Sequence, residues 1–279
     1  MIPVITSNVN FQKLVISTGN ILNTSNQQIG SRSNEELIDG LKLTLQANDI
    51  NHVVLEETKG QVLRATQELN EKLTENQRPD ISIGAKIFLN KNSKECIEQA
   101  ITTLLQILNV EHVDNVVLAY HPIPQNVINS APTTPVGTPA GEKFKWHSRN
   151  DQTVRELKEL WSTLETFALN KQIKQLGISD LDIETLSQLH AGARVPPTIA
   201  QINLSSCCVV PPALQEFCNK HDIQLLTHSD PEILVSDEQF IIPGFTVDWT
   251  LRYQVHVRCR GVLTAKGFIL GAHDVATKA

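Results

Sequence analysis

The stretch that decides the fold covers residues 173–229 and reads IKQLGISDLDIETLSQLHAGARVPPTIAQINLSSCCVVPPALQEFCNKHDIQLLTHS. It contains three short apolar runs, at residues 173–179, 198–204 and 222–227, which are typical of buried strands. The two segments between these runs carry apolar residues at helical spacing. Strands that alternate with helices through short links are the pattern of parallel βαβ units. The stretch therefore predicts an α/β fold.

The same alternation continues towards the amino terminus. Residues 80–89 read as a buried strand, and residues 97–108 repeat apolar side chains at the i, i+3, i+4 spacing of a helix face. Residues 113–120 form the next apolar run. Thr153 and Glu156 then have the spacing of a capping box, which predicts that a helix begins at Thr153. The chain therefore contains four or more such units in sequence.

Consecutive units of this kind leave two architectures, a closed barrel and a doubly wound sheet. No GxGxxG motif follows a first strand, which disfavours the dinucleotide-binding form of the sheet. The chain has 279 residues, and an α/β barrel typically needs about 250 residues as one domain. We therefore expect a single (β/α)8 TIM-barrel domain over residues 1–279, with a ragged start over residues 1–10.

Residues 125–150 interrupt the alternation, because they show no apolar period and are rich in proline and threonine. A loop of this length is usually functional or disordered. We expect a flexible, exposed insertion in the barrel here. Thr134 and Thr138 each precede a proline, so phosphorylation of this segment is the alternative.

Composition and charge exclude several classes of protein. The formal net charge of −6 and the pI of about 5.8 disfavour a basic surface that binds the phosphates of nucleic acids. The sequence shows neither a secretory signal nor the run of ~20 apolar residues that a membrane span needs. The five cysteines are an odd number, without a CxxC pair or the spacing of a zinc site. We expect a cytoplasmic protein with no metal and no membrane or nucleic-acid partner.

Several pieces of the chain, in their order and spacing, resemble the aldo-keto reductase family. Lys86 sits where that family has its active-site lysine, and His121 where it has its histidine. The segments 174–180, 197–203 and 214–229 are similar to three of the family's strand ends. The resemblance implies the reductase barrel, in which an aspartate, a tyrosine, a lysine and a histidine surround a bound nicotinamide.

A closer resemblance narrows the choice. Residues 201–212, 222–231, 251–253 and 260–270 look like the regulatory, or modifier, subunits of glutamate–cysteine ligase, which are reductase-like barrels devoted to regulation. This resemblance implies a heterodimer with the catalytic subunit. In it, the chain would raise the affinity for glutamate and relieve feedback inhibition by glutathione, in glutathione biosynthesis. An NADPH-dependent aldo-keto reductase with an altered active site is the alternative.

The residues present argue against reductase chemistry. The family's proton-donating tyrosine lies upstream of its lysine, but the only tyrosines here are Tyr120 and Tyr253, both after Lys86. We expect no catalytic residues, and Lys86 with His121 as a vestigial pocket. The chain is therefore expected to be a regulator and not an enzyme.

The positions that bind the cofactor in reductases are only partly kept. The resemblance places Ser179 and Gln201 where the family holds the nicotinamide carboxamide, and His228 where a tyrosine stacks on the ring. Asp180 stands where the family has an asparagine, and no phosphate-binding segment is recognisable near the carboxyl terminus. We expect no cofactor, with residual NADP binding as the alternative.

Three cysteines are candidates for a disulfide with the partner subunit. Cys207 and Cys208 are adjacent, and neighbouring cysteines rarely pair with each other because the geometry is strained. Cys259 lies between two arginines, which favour its thiolate. The family resemblance adds to the case for an intersubunit bridge, and burial as small apolar side chains is the competing interpretation. Cys96 and Cys218 lie on predicted helix faces and are expected to be packed.

Overall fold

The structure is a computed structural model that describes residues 12–23, 30, 32–45, 53–56, 60–64, 67–122, 151–203 and 209–277. Two features predicted from sequence, the insertion at 125–150 and the ragged start at 1–10, lie outside the described residues. The same is true of Cys207 and Cys208.

Strands and helices alternate through most of the described chain. The strands are β1 (Lys13–Ser17), β2 (Val53–Glu56), β3 (Gln61–Arg64), β4 (Ile81–Leu89), β5 (Val113–Ala119), β6 (Ile173–Ser179), β7 (Ile199–Asn203), β8 (Gln224–His228), β9 (Phe245–Val257) and β10 (Val262–Asp274). The helices are α1 (Ser33–Leu45), α2 (Gln67–Thr74), α3 (Lys94–Leu108), α4 (Asp151–Leu169), α5 (Ile183–Gly192) and α6 (Pro212–Lys220). Within these described ranges, no helix has the length and apolar character that a membrane span requires.

Five neighbouring strands, β4 to β8, run parallel and in chain order, with α3 to α6 between them. Helix α3 buries the predicted apolar face from Ile97 to Leu108. It ends where Asn109 takes a left-handed conformation, with φ of 49°, and its N–H bonds to the carbonyls of Leu105 and Gln106. These elements confirm the predicted α/β class and its βαβ units.

The predicted start of α4 is wrong. The helix already includes Asp151 and Gln152, so Thr153 lies inside the helix and is not its N-cap residue. Glu156 accepts a hydrogen bond from Tyr120 Oη at 3.0 Å and so ties α4 to the end of β5. The error arises because a threonine and a glutamate three residues apart also occur inside helices, where each side chain can contact other residues.

A long antiparallel hairpin, β9–β10, was not predicted from the sequence. It lies between β1 and β4 and pairs antiparallel with both. In β9, Val247, Trp249, Leu251, Tyr253 and Val255 are all buried and alternate with more polar residues. This period of two is typical of a strand, but it does not belong to the alternating helix-strand pattern from which the other strands were predicted.

The described strands form one sheet, in the order β2-β3-β1-β10-β9-β4-β5-β6-β7-β8. Its two edges are β2 and β8, and no strand pairing joins these edges in the described part of the chain. The parallel strands β4 to β8 account for five of the eight parallel strands of a (β/α)8 barrel. The hairpin differs from the eight alternating strand-helix units of such a barrel, because β9 and β10 pair antiparallel with each other and with β4 and β1.

The two faces of the sheet carry separate cores. The outer face packs against α2 to α6, and its core joins strand residues such as Ile83 to helix residues such as Trp161. The inner face buries Phe88 against α1 and the segment 234–242. Because side chains alternate along a strand, Lys86 leaves β4 on the same face as Phe88. The expected vestigial lysine therefore lies under α1.

Candidate functional site

Asp230 is the centre of a buried polar network on the inner face. Its carboxylate follows β8 and faces Lys86 on β4, Arg252 on β9 and Ser33 at the start of α1. Lys86 Nζ and Arg252 Nη2 each donate to Oδ2 at 3.0 Å. Ser33 Oγ donates to Oδ1 at 2.6 Å, and Arg252 Nη1 contacts the same oxygen. The carboxylate thus joins four separate parts of the chain.

The register of β4 and β9 explains why two cations share one acceptor. Lys86 and Arg252 are directly opposite each other in this antiparallel pair, so both side chains leave the same face. Both also lie near the ring of Phe88, with Nζ 5.3 Å and Cζ 5.9 Å from its centroid. Like charges opposite each other are destabilising. Asp230 offsets their repulsion by pairing with both.

Burial and ion pairing shift the pKa values of both Asp230 and Lys86. Burial alone would raise the pKa of Asp230, but the hydrogen bond and charge of Arg252, with Lys86 and Ser33, hold it well below its usual range. Burial lowers the pKa of Lys86, and the carboxylate of Asp230 only partly opposes this. Lys86 and Asp230 are each 4% exposed. The amine therefore faces an internal carboxylate and not solvent.

A second branch of the network runs through His228. The backbone N–H of Asp230 donates to His228 Nδ1 at 3.1 Å, so Nδ1 acts as an acceptor. The hydrogen then lies on Nε2, which donates to Asp180 at 3.0 Å. Asp180 also accepts from the backbone N–H of Asn203 at 2.9 Å, and Asn203 Nδ2 donates to the carbonyl of Asp230 at 2.7 Å. The ring of His228 is held between two aspartates.

Asp180 has an unusual backbone conformation, with φ of 62°. Aspartate tolerates this left-handed region better than most residues. Burial raises the pKa of the Asp180 carboxyl, but its hydrogen bond to His228 and the charges of Lys86 and His121 lower it overall. The aspartate at this position therefore has a structural explanation, which is its bond to His228.

His121 follows β5 and lies beside the network. Burial is the main cause of its lowered pKa, and the charges of Glu232 and Asp180 act in the opposite direction. Lys86 and His228 add to the lowering. The structure therefore brings together three of the residues predicted from sequence, Lys86, His121 and His228.

Ser179 and Gln201 are cross-strand neighbours on β6 and β7. Ser179 Oγ and Gln201 Oε1 are buried and have no hydrogen-bond partner. A nicotinamide carboxamide offers the donor and acceptor that these atoms lack. However, Ser179 is 0% exposed, so no ligand can reach its hydroxyl in this arrangement. His228, which stands where reductases have the ring-stacking tyrosine, is already bonded to Asp180. The residues present do not fit a nicotinamide cofactor.

Both tyrosines have partners away from Lys86. Tyr253 Oη donates to the carbonyl of Gly19 at 2.9 Å, and Tyr120 Oη donates to Glu156 at 3.0 Å. Burial raises the pKa of each phenol far above its ordinary value. A reductase tyrosine needs the opposite shift to release its proton easily. Neither tyrosine is suited to donate a proton next to Lys86.

Cys259 is exposed in the turn between β9 and β10, at the amino-terminal end of β4. Its neighbour Arg258 donates from Nε to the carbonyl of Ile81 at 2.9 Å and from Nη2 to Asp114 at 2.5 Å. Cys96 and Cys218 are buried, as predicted, and burial raises the pKa of the Cys96 thiol to about 11. Of the three candidate thiols, Cys259 is the one that the described residues place at the surface.

Three members of the network were not predicted from sequence, namely Asp230, Arg252 and Ser33. Asp230 and Arg252 stand within the segments 222–231 and 251–253 that carry the resemblance, but no local pattern marks their role. Metal binding has no support in the described ranges, where no group of three or more His, Cys, Asp or Glu residues could hold an ion.

Known proteins that are similar to this chain include both a regulatory subunit and reductases. The model of the aldo/keto reductase family matches residues 54–230. The human glutamate–cysteine ligase regulatory subunit is 32% identical over 275 residues, which covers 93% of this chain and 92% of the relative. An NADPH-dependent codeinone reductase from Papaver somniferum is 21% identical over 155 residues, 54% of this chain and 43% of the relative.

Among solved structures, an aldo-keto reductase of the silkworm Bombyx mori has a TM-score of 0.40 and 22% identity, and the match covers 58% of this chain and 43% of that one. The match to the human regulatory subunit covers most of both chains, whereas the match to the codeinone reductase covers about half of each. The chain belongs to the aldo/keto reductase family and to its branch of glutamate–cysteine ligase regulatory subunits.

Proposed function

We propose that this chain is a non-catalytic subunit that binds the catalytic subunit of glutamate–cysteine ligase as a heterodimer. Binding raises the catalytic subunit's affinity for glutamate and relieves its feedback inhibition by glutathione. Similarity to a regulatory subunit over 93% of the chain supports this proposal. The odd number of cysteines suits a reducing compartment, which favours the cytoplasm as its location.

The observation that carries the non-catalytic part is the pairing of Lys86 with Asp230. In reductases the lysine lowers the pKa of the proton-donating tyrosine, so it must lie within reach of that hydroxyl. Lys86 Nζ instead donates to an internal carboxylate at 3.0 Å, below α1, and is 4% exposed. This geometry favours a structural role for the lysine that reductases use in catalysis.

A subunit without chemistry of its own acts through differences in binding energy. It must bind the substrate-competent state of the catalytic subunit more tightly than the other states, and so shift the population towards it. A tenfold gain in glutamate affinity requires a difference of about 1.4 kcal/mol. An interface of ordinary size, on the order of 1,600 Å² in total, can supply a difference of this size.

The proposed regulation is tested with purified subunits. The catalytic subunit is titrated with glutamate alone, with an equimolar amount of this chain, and with an equimolar amount of an unrelated protein. We expect co-purification of the two subunits, a lower KM for glutamate with this chain only, and weaker inhibition by glutathione. If no complex forms, or if KM and inhibition are the same in all three samples, the proposed function is wrong.

We further propose that the chain uses no cofactor and has no reductase activity. Residual NADP binding is the alternative that the resemblance to reductases leaves open, so it requires its own test. We expect no steady NADPH consumption with aldehydes and no quenching of protein fluorescence by NADPH. Turnover that disappears in Lys86→Ala would establish the reductase alternative instead.

An intersubunit disulfide is the third part of the proposal. Non-reducing electrophoresis of the complex after mild oxidation compares Cys259→Ser with the double variant Cys207→Ser/Cys208→Ser. Cys218→Ala is the matched control, because its thiol is buried. We expect the covalent band to disappear in one of the first two variants and to persist in the control. A band that survives removal of all three candidate thiols contradicts the assignment.

A further inference from the structure

Strand β8 is one of the two edges of the sheet, and only its other side is paired within the described part of the chain. On that side it runs parallel to β7. Gln224, Leu226 and Thr227 are exposed, whereas β6 and β7 are mostly buried. An open strand edge presents unpaired backbone groups and is a template for pairing with a further strand.

Two residues of β8 direct their backbone groups to this open edge. In a parallel pair, alternate residues bond to the neighbouring strand and the residues between them point away from it. The N–H of Gln224 donates to the carbonyl of Thr198 at 2.9 Å, so Gln224 is one of those that face β7. Leu225 and Thr227 therefore face outwards, and the backbone of neither has a hydrogen-bond partner among the described residues. The edge offers two N–H donors and two carbonyl acceptors.

The composition of β8 does not protect this edge. Natural edge strands are commonly blocked by a charged side chain, by a proline or by a bulge. The strand reads QLLTH, without a proline and without a carboxylate, ammonium or guanidinium group. Its register with β7 is continuous over all five residues, so it contains no bulge. The nearest carboxylates in the sequence, Asp222 and Asp230, lie outside the strand.

The free groups of two such edges match each other in one antiparallel register. With Leu226 opposite the same residue of a second copy, Leu225 of each copy faces Thr227 of the other as a hydrogen-bonded pair. The two pairs form four hydrogen bonds, which use every free N–H and carbonyl of both edges. A shift by two residues leaves one such pair and two bonds. The register with Leu226 at its centre is therefore the one that satisfies both edges completely.

The side chains are compatible with this register. Leu226 is 37% exposed, and pairing buries it against its copy, which removes apolar surface from water. Gln224 lies opposite His228 of the second copy, so the register places no two carboxylates and no two ammonium or guanidinium groups opposite each other. A five-residue edge alone buries less than the roughly 1,200 Å² at the lower limit of stable interfaces. The association is therefore weak and depends on concentration.

We propose that two copies of this chain associate through β8, which pairs antiparallel with itself across a two-fold axis at Leu226. The sheets of the two copies then form one continuous sheet. A two-fold contact of this kind uses the same surface on both copies, so association stops at the dimer. The proposal concerns the isolated chain and does not depend on the proposed regulation of the ligase.

Cysteine cross-linking tests the register. Opposite residues that are not hydrogen-bonded have Cα atoms about 4.5 Å apart, which is within the disulfide range of ~4.4–6.8 Å. We therefore expect Leu226→Cys to form a disulfide between two copies, with oxidised glutathione as the oxidant. Thr227→Cys is the matched control, because in this register its Cα lies more than about 7 Å from its copy. Non-reducing electrophoresis measures the covalent dimer, and peptide mass spectrometry identifies the bridged positions.

Sedimentation equilibrium of the isolated full chain measures association without a cross-link. Thr227→Pro removes an outward N–H and leaves the bonds to β7 intact, because that N–H does not take part in them. Thr227→Ser keeps the N–H and is the control. We expect the wild type and Thr227→Ser to dimerise as concentration rises, and Thr227→Pro to raise the dissociation constant at least about tenfold. Circular dichroism checks that the proline variant is folded, and the cysteine pair tests the proposal if it is not.

Three results would each overturn the proposal. The first is a wild type that stays monomeric at every concentration, which is the outcome if another segment of the chain or only the catalytic subunit covers β8. The second is equal cross-linking of Leu226→Cys and Thr227→Cys, or none in either. The third is wild-type association of a folded Thr227→Pro. None of these measurements includes the catalytic subunit, so such a failure differs from a failure of the proposed function.

Discussion

Asp230 Oδ2 lies 3.0 Å from Lys86 Nζ, and the two residues are 144 positions apart in the chain. The same oxygen accepts a hydrogen bond from Arg252 Nη2. One carboxylate therefore joins the parallel part of the sheet, the antiparallel hairpin and, through Ser33, helix α1. In this chain the lysine expected at a reductase site contributes to the internal structure.

The first prediction concerns removal of this carboxylate. Asp230→Asn keeps the shape of the side chain but leaves Lys86 and Arg252 without their shared counter-charge. Breaking a buried pair in this way costs about 3–5 kcal/mol of unfolding free energy. Urea denaturation at neutral pH measures the loss. Glu159→Gln breaks an exposed pair with Lys94 and should change stability by less than about 0.5 kcal/mol. Equal effects of the two substitutions would contradict the central role of Asp230.

The second prediction concerns stability in acid and the carboxylate of Asp114. Burial raises its pKa, but hydrogen bonds from Ile83 N, Lys174 and Arg78 outweigh burial and lower the pKa to about 2. Because the folded-state pKa is depressed, the stabilisation is complete above the unfolded value of ~3.9 and is lost as the pH falls towards 2. The contribution lost is about 2 kcal/mol.

The measurement is the unfolding free energy of the wild type and of Asp114→Asn between pH 6 and pH 2. We expect the wild type to be more stable at pH 6 and the two curves to converge as the pH approaches 2. Parallel curves over this range would show that Asp114 does not titrate with a depressed pKa.

The third prediction concerns thiol reactivity. Cys259 is exposed, whereas Cys96 and Cys218 are buried, and burial raises the pKa of both buried thiols. The thiolate is the reactive form, so Cys259 should react with iodoacetamide at neutral pH much faster than the other two. Peptide mass spectrometry after a short pulse measures the labelled fraction at each cysteine. A denatured sample serves as the control, in which all cysteines are labelled. Labelling of Cys96 at the rate of Cys259 in the native protein would contradict the described packing.

The fourth prediction concerns a close approach between strands. A Cβ at Gly267 would overlap with the backbone carbonyl of Gly19 and with the hydroxyl of Tyr253. Because a backbone carbonyl cannot move aside cheaply, Gly267→Ala should cost about 3 kcal/mol or more of unfolding free energy. Gly192→Ala is the control, because the nearest atom is the end of the flexible Lys158 side chain at 3.7 Å. This helical position should be neutral or gain up to about 1 kcal/mol. Tolerance of Gly267→Ala in thermal unfolding would contradict the strand register.

The predicted strands and helices agree closely with the structure where the pattern is local. Residues 80–89, 113–120 and 173–179 correspond to β4, β5 and β6, and the apolar face of residues 97–108 is the buried face of α3. The wrong helix start at Thr153 and these confirmed predictions all come from local residue spacing. A short motif reports which residues have the right spacing, and it does not exclude a helix that began earlier.

The candidate site was predicted less completely. Lys86, His121 and His228 lie close together, but Asp230, Arg252 and Ser33 were missing from the prediction. Their roles depend on the position of the hairpin beside β4. The spacing of apolar residues along a strand does not determine which other strands lie next to it in the sheet. The same limit explains why the sheet order was not predicted.

The sequence by itself determined the α/β class, the parallel units, the buried helix faces and the loss of a tyrosine ahead of Lys86, because each is a property of residue identity or local spacing. Only the tertiary structure decided that β9 and β10 lie between β1 and β4, and that Lys86 pairs with Asp230 across 144 positions. The physical reason is that the spacing of apolar residues along a strand or helix determines which face of that element is buried. The contacts that a buried side chain makes depend instead on which distant segment covers that face.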